Sequence, residues 1–188
     1  AFRHFSERGG YPFAQEHRDV EWSEVARHLN ETVIQRAIQH DLRMGSRGRK
    51  RDENLLEEVF RLACRYTGQA PGASAFVREL KQSLAANIGW SRILDYLKFL
   101  DGTLLLQMVQ PLELRLKKKK SPAKLCVCDH ALRASWLQET VPLTSQALAD
   151  APHLTDLAGR IVEGVLGYQL STVPNLEVAH LPARDDQP

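Results

Sequence analysis

Cysteine is scarce in this chain: three in 188 residues, Cys64, Cys126 and Cys128. An odd count with no secretory signal argues against a disulfide framework and predicts reduced thiols in a cytoplasmic protein. Cys126 and Cys128 stand two apart on an expected strand and so face the same way, but no partner pair exists to complete a zinc site. Long apolar runs are missing too, so no segment reads as a membrane span and no membrane partner is expected. Catalytic signatures are equally thin. The phosphate-binding pattern G-x-x-x-x-G-K-[ST] is absent; the nearest imitation, Gly45-Ser46-Arg47-Gly48-Arg49-Lys50, has the wrong spacing and lies between helices. There is no G-x-S-x-G elbow, and the seven histidines are scattered without metal-binding helical spacing. Asp129 and His130 are adjacent and point apart, so helix capping explains Asp129 better than catalysis does.

What is present is an ordered set of elements from Glu53 to Lys124. Leu55, Leu56, Val59, Phe60, Leu62 and Ala63 form an apolar stripe at helical spacing, closed by Gly68, with a turn at Pro71-Gly72. Ser74 is placed to cap a second helix that carries Phe76, Val77, Leu80 and Leu84 on one face. A third helix is expected from Ser91 to Leu100, with Ile93, Leu94, Leu97 and Leu100 as its apolar positions. Leu104 to Val109 is strand-like, Leu112 to Leu116 alternates strictly, and a returning strand starts at Lys124. Three helices and then a hairpin is the order of a winged helix-turn-helix, which sets its third helix for a major groove and its wing near phosphates.

Charge is segregated. Net charge is only +2, yet Arg43, Arg47, Arg49, Lys50 and Arg51 give +5 with no acid among them, and Arg115, Lys117, Lys118, Lys119, Lys120 and Lys124 give +6, leaving −9 for the rest. Cations placed against phosphates release counterions, so two such runs flanking this pattern point to nucleic acid. Either run alone reads as a solvated loop tip. The residues expected at a nucleic-acid surface, duplex DNA in the first instance, are Arg92 and Lys98 on the third helix, Arg115 with Lys117, Lys118, Lys119 and Lys120 on the wing, and Arg47, Arg49 and Lys50 before it. Asp95, also exposed on the third helix, would repel phosphate and favours a protein partner instead. Trp90, just before that helix, reads as core packing first and as a DNA neighbour second.

On the N-terminal side, Trp22, Val25, Leu29, Val33, Ile34 and Ile38 predict one long helix from about Ser23 to Arg43. After the hairpin, Asp129 is placed to cap a helix over His130–Gln138, and 140–152 reads as a loop or short helix. A last helix, His153 to Leu170, is expected to turn Leu154, Leu157, Ile161, Val165 and Leu166 inward, with Gly159, Gly164 and Gly167 allowing close packing. The sequence opens at Ala1 amid an apparent element and stops on the turn-like Arg184-Asp185-Asp186-Gln187-Pro188 after the strand-like 176–181, so a fragment is expected.

Several short motifs carry a family resemblance: Gly9-Gly10-Tyr11-Pro12, Thr32-Val33-Ile34-Gln35-Arg36, Tyr96-Leu97 with Leu100, Lys124-Leu125-Cys126-Val127-Cys128-Asp129, and Gly159-Arg160-Ile161-Val162-Glu163. In this order and spacing the chain resembles the C-terminal half of a widespread group of bacterial and archaeal AAA+-type ATPases. Departures are Ala37, where that family commonly has Asp, and His130-Ala131-Leu132 in place of Thr-Gly-Leu. The resemblance implies an α+β, mainly helical architecture: an N-terminal helical connector over 1–52, a winged helix-turn-helix over 53–123, and over 124–188 the truncated start of a PD-(D/E)xK nuclease-like α/β module. It implies a non-catalytic accessory region that binds nucleic acid, or alternatively docks on the ATPase core or a partner protein. ATP and magnesium belong to the ATPase part outside these residues, and no cofactor is expected in this one. Glu163 is the weak candidate for a nuclease metal ligand, and an active metal-dependent nuclease in the longer protein is the second alternative. Its simpler reading is a surface residue or a partner for Arg160.

Overall fold

The computed structural model describes residues 2–43, 52–112 and 121–182. Two short helices, α1 (Phe2–Arg8) and α2 (Pro12–Glu16), open the described chain. The expected long helix follows in three pieces: α3 (Trp22–Leu29), a π-helical segment over Asn30–Ile34, and α4 (Gln35–Arg43). Within the wide turn the Thr32 hydroxyl donates to the His28 carbonyl at 2.7 Å, the back-bonding that bends helices, and the Asn30 amide donates to the Ser135 carbonyl at 2.9 Å. The break has a trace in the spacing of the buried face: Val25 and Leu29 are four apart, as are Ile34 and Ile38, but Leu29 and Ile34 are five apart, a step that one wide turn keeps on the same side.

Helix α5 (Glu53–Arg65) is capped by Asp52, whose carboxylate accepts the Leu55 N–H at 3.2 Å, and it buries the stripe from Leu55 to Cys64. Gly68, at φ +72°, turns the chain into Gln69, which bridges Leu125 in antiparallel fashion. Helix α6 (Ala73–Leu84) starts after Gly72 rather than at Ser74 and ends on left-handed Ala85. Helix α7 (Trp90–Gly102) takes in Trp90 and buries Ile93, Tyr96, Leu97 and Leu100. Leu104, expected in a strand, lies at φ +63° and reverses the chain into β1 (Leu106–Val109). Antiparallel to it runs β2 (Lys124–Val127), in the register Leu106 to Val127 and Val109 to Lys124. Residues 113–120, and with them most of the expected alternating strand and the four lysines, lie outside the described residues.

Asp129 caps α8 (His130–Leu137) by accepting the Ala131 N–H at 2.7 Å. The stretch 140–152 contains one short helix, α9 (Ser145–Ala149), and a 3-10 turn over Pro152–Leu154 leads into α10 (Thr155–Ser171). Residues 176–181 form no regular strand; His180 makes a single parallel bridge with Pro111, exchanging backbone hydrogen bonds with Gln110 and Leu112. One hydrophobic core runs from Ala14 through α3–α8 and both strands to Leu132, and a smaller cluster joins Val141, Ala158 and Ile161. The architecture is thus α+β and mainly helical, with one two-stranded sheet among the described residues.

Candidate interface around helix α7

Helix α7 has two opposed faces and an outward stripe between them. One face carries Arg92 and Tyr96 towards the start of α5. The Arg92 guanidinium pairs with the Asp52 carboxylate at 3.3 Å, and the Asp52 N–H donates to the Tyr96 hydroxyl at 2.8 Å. Asp52 therefore does more than cap α5; it fixes to α7 the point where the basic run of 43–51 ends. The other face carries Leu94, Lys98 and Asp101 towards the hairpin. Together with Trp90, Met108, Gln110 and Pro122 they line a mostly apolar groove of about 430 Å³. The Asp101 carboxylate accepts the Met108 N–H at 2.7 Å and so ties α7 to the edge of β1. Ser91 and Asp95 stand exposed on the outward stripe, and the exposed Lys98 lies where that stripe meets the groove.

Arg92 and Lys98 are six positions apart, which at 3.6 residues per turn places them about 120° apart round the helix. They do not form one cationic patch: Arg92 is paired with Asp52, while Lys98 has no ion pair among the described residues. Arg47, Arg49, Lys50, Arg115, Lys117, Lys118, Lys119 and Lys120 lie outside the described residues. Lys124 is committed elsewhere, since its ammonium is hydrogen-bonded to the Glu163 carboxylate on α10. Glu163 thereby has Lys124, not Arg160, as its partner. Among the described residues no group of three or more His, Cys, Asp or Glu side chains stands close enough to hold a metal ion.

A second polar cluster ties the N-terminal turn to α8. Gly9 is at φ +73°, and a Cβ there would fall 2.1 Å from the Asp129 carboxylate, so the approach requires glycine. Asp129, buried, accepts the Gly10 N–H at 2.6 Å in addition to its own cap. Burial raises its pKa, against the nearby His130 and the two N–H donors; burial lowers that of His130, against the Asp129 charge and the backbone of Ser6 and Phe5. The buried Arg133 guanidinium donates to the Cys64 carbonyl at 3.2 Å and pairs with Glu139 at 2.6 Å. Burial pushes the Cys126 and Cys128 thiols up to about 12, so both stay protonated and inert near neutrality. Sequence reasoning had the Gly-Gly turn and the Asp129 cap but not their contact, because 119 positions separate them and no local pattern reports it. Asp52 was findable as an N-cap before an apolar run; its grip on α7 was not.

Residues 1–142 match the model of a family described as a domain of unknown function, DUF8612, and the chain belongs to that family. The match ends after α8, so α9 and α10 lie beyond it. No curated protein and no solved structure matches the chain.

Proposed function

We propose that α5 to β2 is a winged helix-turn-helix that binds nucleic acid, duplex DNA in the first instance, as a non-catalytic accessory region of an AAA+-type ATPase. The observation that carries this reading is the position of Asp52 and Pro122, the described residues that follow the two basic runs in the sequence. Asp52, which follows the basic run of 43–51 in the sequence, is held against the Arg92–Tyr96 face of α7; Pro122, which follows Lys117 to Lys120, lines the groove beside Leu94 and Lys98. Both points are next in sequence to a cationic run, and a helix seated between phosphate strands uses cations on both sides. The order of elements and the Gln69–Leu125 bridge, which ties the turn after α5 to β2, support the winged-helix assignment. In the same reading 124–182 begins a nuclease-like module with α10 as its opening helix, and ATP and magnesium chemistry resides in the ATPase part.

Salt titration of DNA binding tests it. Replacing Lys117, Lys118, Lys119 and Lys120 together by alanine is expected to weaken binding to two unrelated duplexes equally. The slope of log K against log salt should become shallower by up to roughly 0.9 per lysine in contact. Unchanged affinity and slope would sink the nucleic-acid reading. A second reading, docking on the ATPase core or a partner protein, is favoured by Asp95 in the middle of the outward stripe and by the engagement of Arg92 with Asp52. Asp95→Lys separates the two: it should tighten DNA binding if α7 faces phosphates and leave it unchanged if α7 faces protein.

A further inference from the structure

We propose that the groove between α7 and the hairpin is a pocket for an unpaired nucleobase, so that the module prefers nucleic acid with a base out of the stack. The inference rests on the nucleic-acid reading and goes beyond it. The groove, about 430 Å³, is large enough for a base and is walled by the side chains that hold one: Trp90 on the helix side, Met108 and Pro122 on the hairpin side. Trp90 meets the fully buried Phe76 edge to face, with centroids 6.2 Å apart and planes at 73°, which fixes the indole as part of the wall. This is a use for Trp90 that core packing alone leaves open, because the ring is only half-buried.

Polar groups at the rim match the rest of a nucleotide. Lys98 is exposed and has no ion pair among the described residues, so it is free for the phosphate that enters with the base. The Gln110 side chain offers a donor and an acceptor to a base edge, and its present contact with the Met108 carbonyl is long, at 3.4 Å. Asp101 also lines the groove, and one of its carboxylate oxygens accepts the Met108 N–H at 2.7 Å, which holds that side chain against the hairpin edge. Paired bases keep their faces in the stack and cannot enter such a groove; single strands, bulges and mismatches can.

The test compares two DNA duplexes of equal length, one fully paired and one with a single bulged adenine, by fluorescence anisotropy. The bulged duplex is expected to bind about tenfold to a hundredfold more tightly, the range of one base–aromatic stack. Trp90→Leu should abolish that preference while leaving the affinity for the paired duplex unchanged. Met108→Trp, which fills the groove from the opposite wall, gives the same readout if Trp90→Leu fails to fold. Equal affinity of the unaltered protein for both duplexes overturns the inference and spares the nucleic-acid reading, and so does a preference that survives a folded groove variant. Binding to neither duplex overturns both and leaves the groove to a peptide.

Discussion

Helices α7 and α10 both pack against the β1–β2 hairpin, and they do so by opposite means. Helix α7 holds its neighbours with large side chains: Ile93, Leu97 and Leu100 are buried, and its polar residues face out or cap the hairpin edge. Helix α10 comes in backbone first. A Cβ on Gly164 would lie 2.6 Å from the Thr67 hydroxyl, and one on Gly167 would lie 2.9 Å from the Cys126 sulfur. Its far side is apolar as well, with Val162, Leu166 and Leu170 exposed at 46, 55 and 38 %. A contact made of interdigitated side chains tolerates swaps of similar volume, whereas one made of backbone tolerates no added atom. The two helices should therefore respond differently to the same kind of change.

The largest effect is expected where α10 meets the turn after α5. Gly68 is in the left-handed region, and a Cβ there would lie 2.0 Å from the Arg160 carbonyl oxygen. Gly68→Ala should cost roughly 2–6 kcal/mol, the sum of backbone strain and overpacking. Gly164→Ala meets a clash but no backbone strain and should cost about 1–3 kcal/mol. Gly159 has open space around it, so Gly159→Ala should instead stabilise by about 0.5–1 kcal/mol through helix propensity. Urea denaturation of the three variants orders them, and equal effects at Gly159 and Gly164 would end the backbone-contact account.

Next comes the side-chain arm of the comparison. Leu97→Ala on α7 should cost about 2–5 kcal/mol, because the side chain is almost wholly buried. Leu166→Ala on α10 should stay within about 0.5 kcal/mol, the range of surface changes. A loss at Leu166 as large as that at Leu97 would mean that its outer face is covered in solution.

That contrast also marks what the sequence could reveal. Helices α5 to α7 were legible because each has one apolar stripe and a polar remainder, so period and burial coincide. In α10 apolar residues surround the axis, and period no longer says which side is inside. Leu166 was expected to face in, but it lies about 140° round from the buried Ile161. The three glycines looked alike, yet Gly164 and Gly167 face the fold and Gly159 does not, a difference set by the partner surface rather than by α10. Of the candidate site, Lys98 was legible as an exposed position on an amphipathic helix, whereas Trp90 was expected just before that helix and in the core first. The Asp52–Arg92 pair and the hairpin wall of the groove were not, since both depend on tertiary packing across about 40 or fewer positions that carry no local signal.

A third handle compares the two aspartate caps that anchor these regions. Asp52 caps α5 from a half-exposed position, so Asp52→Ala should cost about 1 kcal/mol. Asp129 is buried and holds both its own cap and the Gly10 N–H, so Asp129→Ala should cost roughly 2–4 kcal/mol, a lost cap plus an unsatisfied donor. Thermal unfolding measured beside the Asp52 variant checks the difference, and similar losses would mean that the Gly10 contact contributes nothing.

The smallest effect is the pH dependence that His130 gives the same cluster. Its ring is buried edge-on to Phe5 at 5.1 Å, and burial lowers its pKa below the ordinary 6.5. In the unfolded chain the imidazole takes up its proton as pH falls through about 6.5, while the folded ring resists. The unfolded state then binds more protons, so stability is fully present above that pH and is lost progressively below it, at no more than about 1.4 kcal/mol per pH unit for one group. Asp129, raised by burial, works the other way: it protonates first in the folded state and offsets part of the loss as pH approaches the carboxylate range. The net expectation is a decline in stability between pH 7.5 and 5.5 that His130→Gln makes shallower. Urea midpoints of the two proteins at those pH values decide it. A decline of equal slope in both would place the sensitive group elsewhere and leave Asp129, not His130, as the part of the cluster that matters for stability.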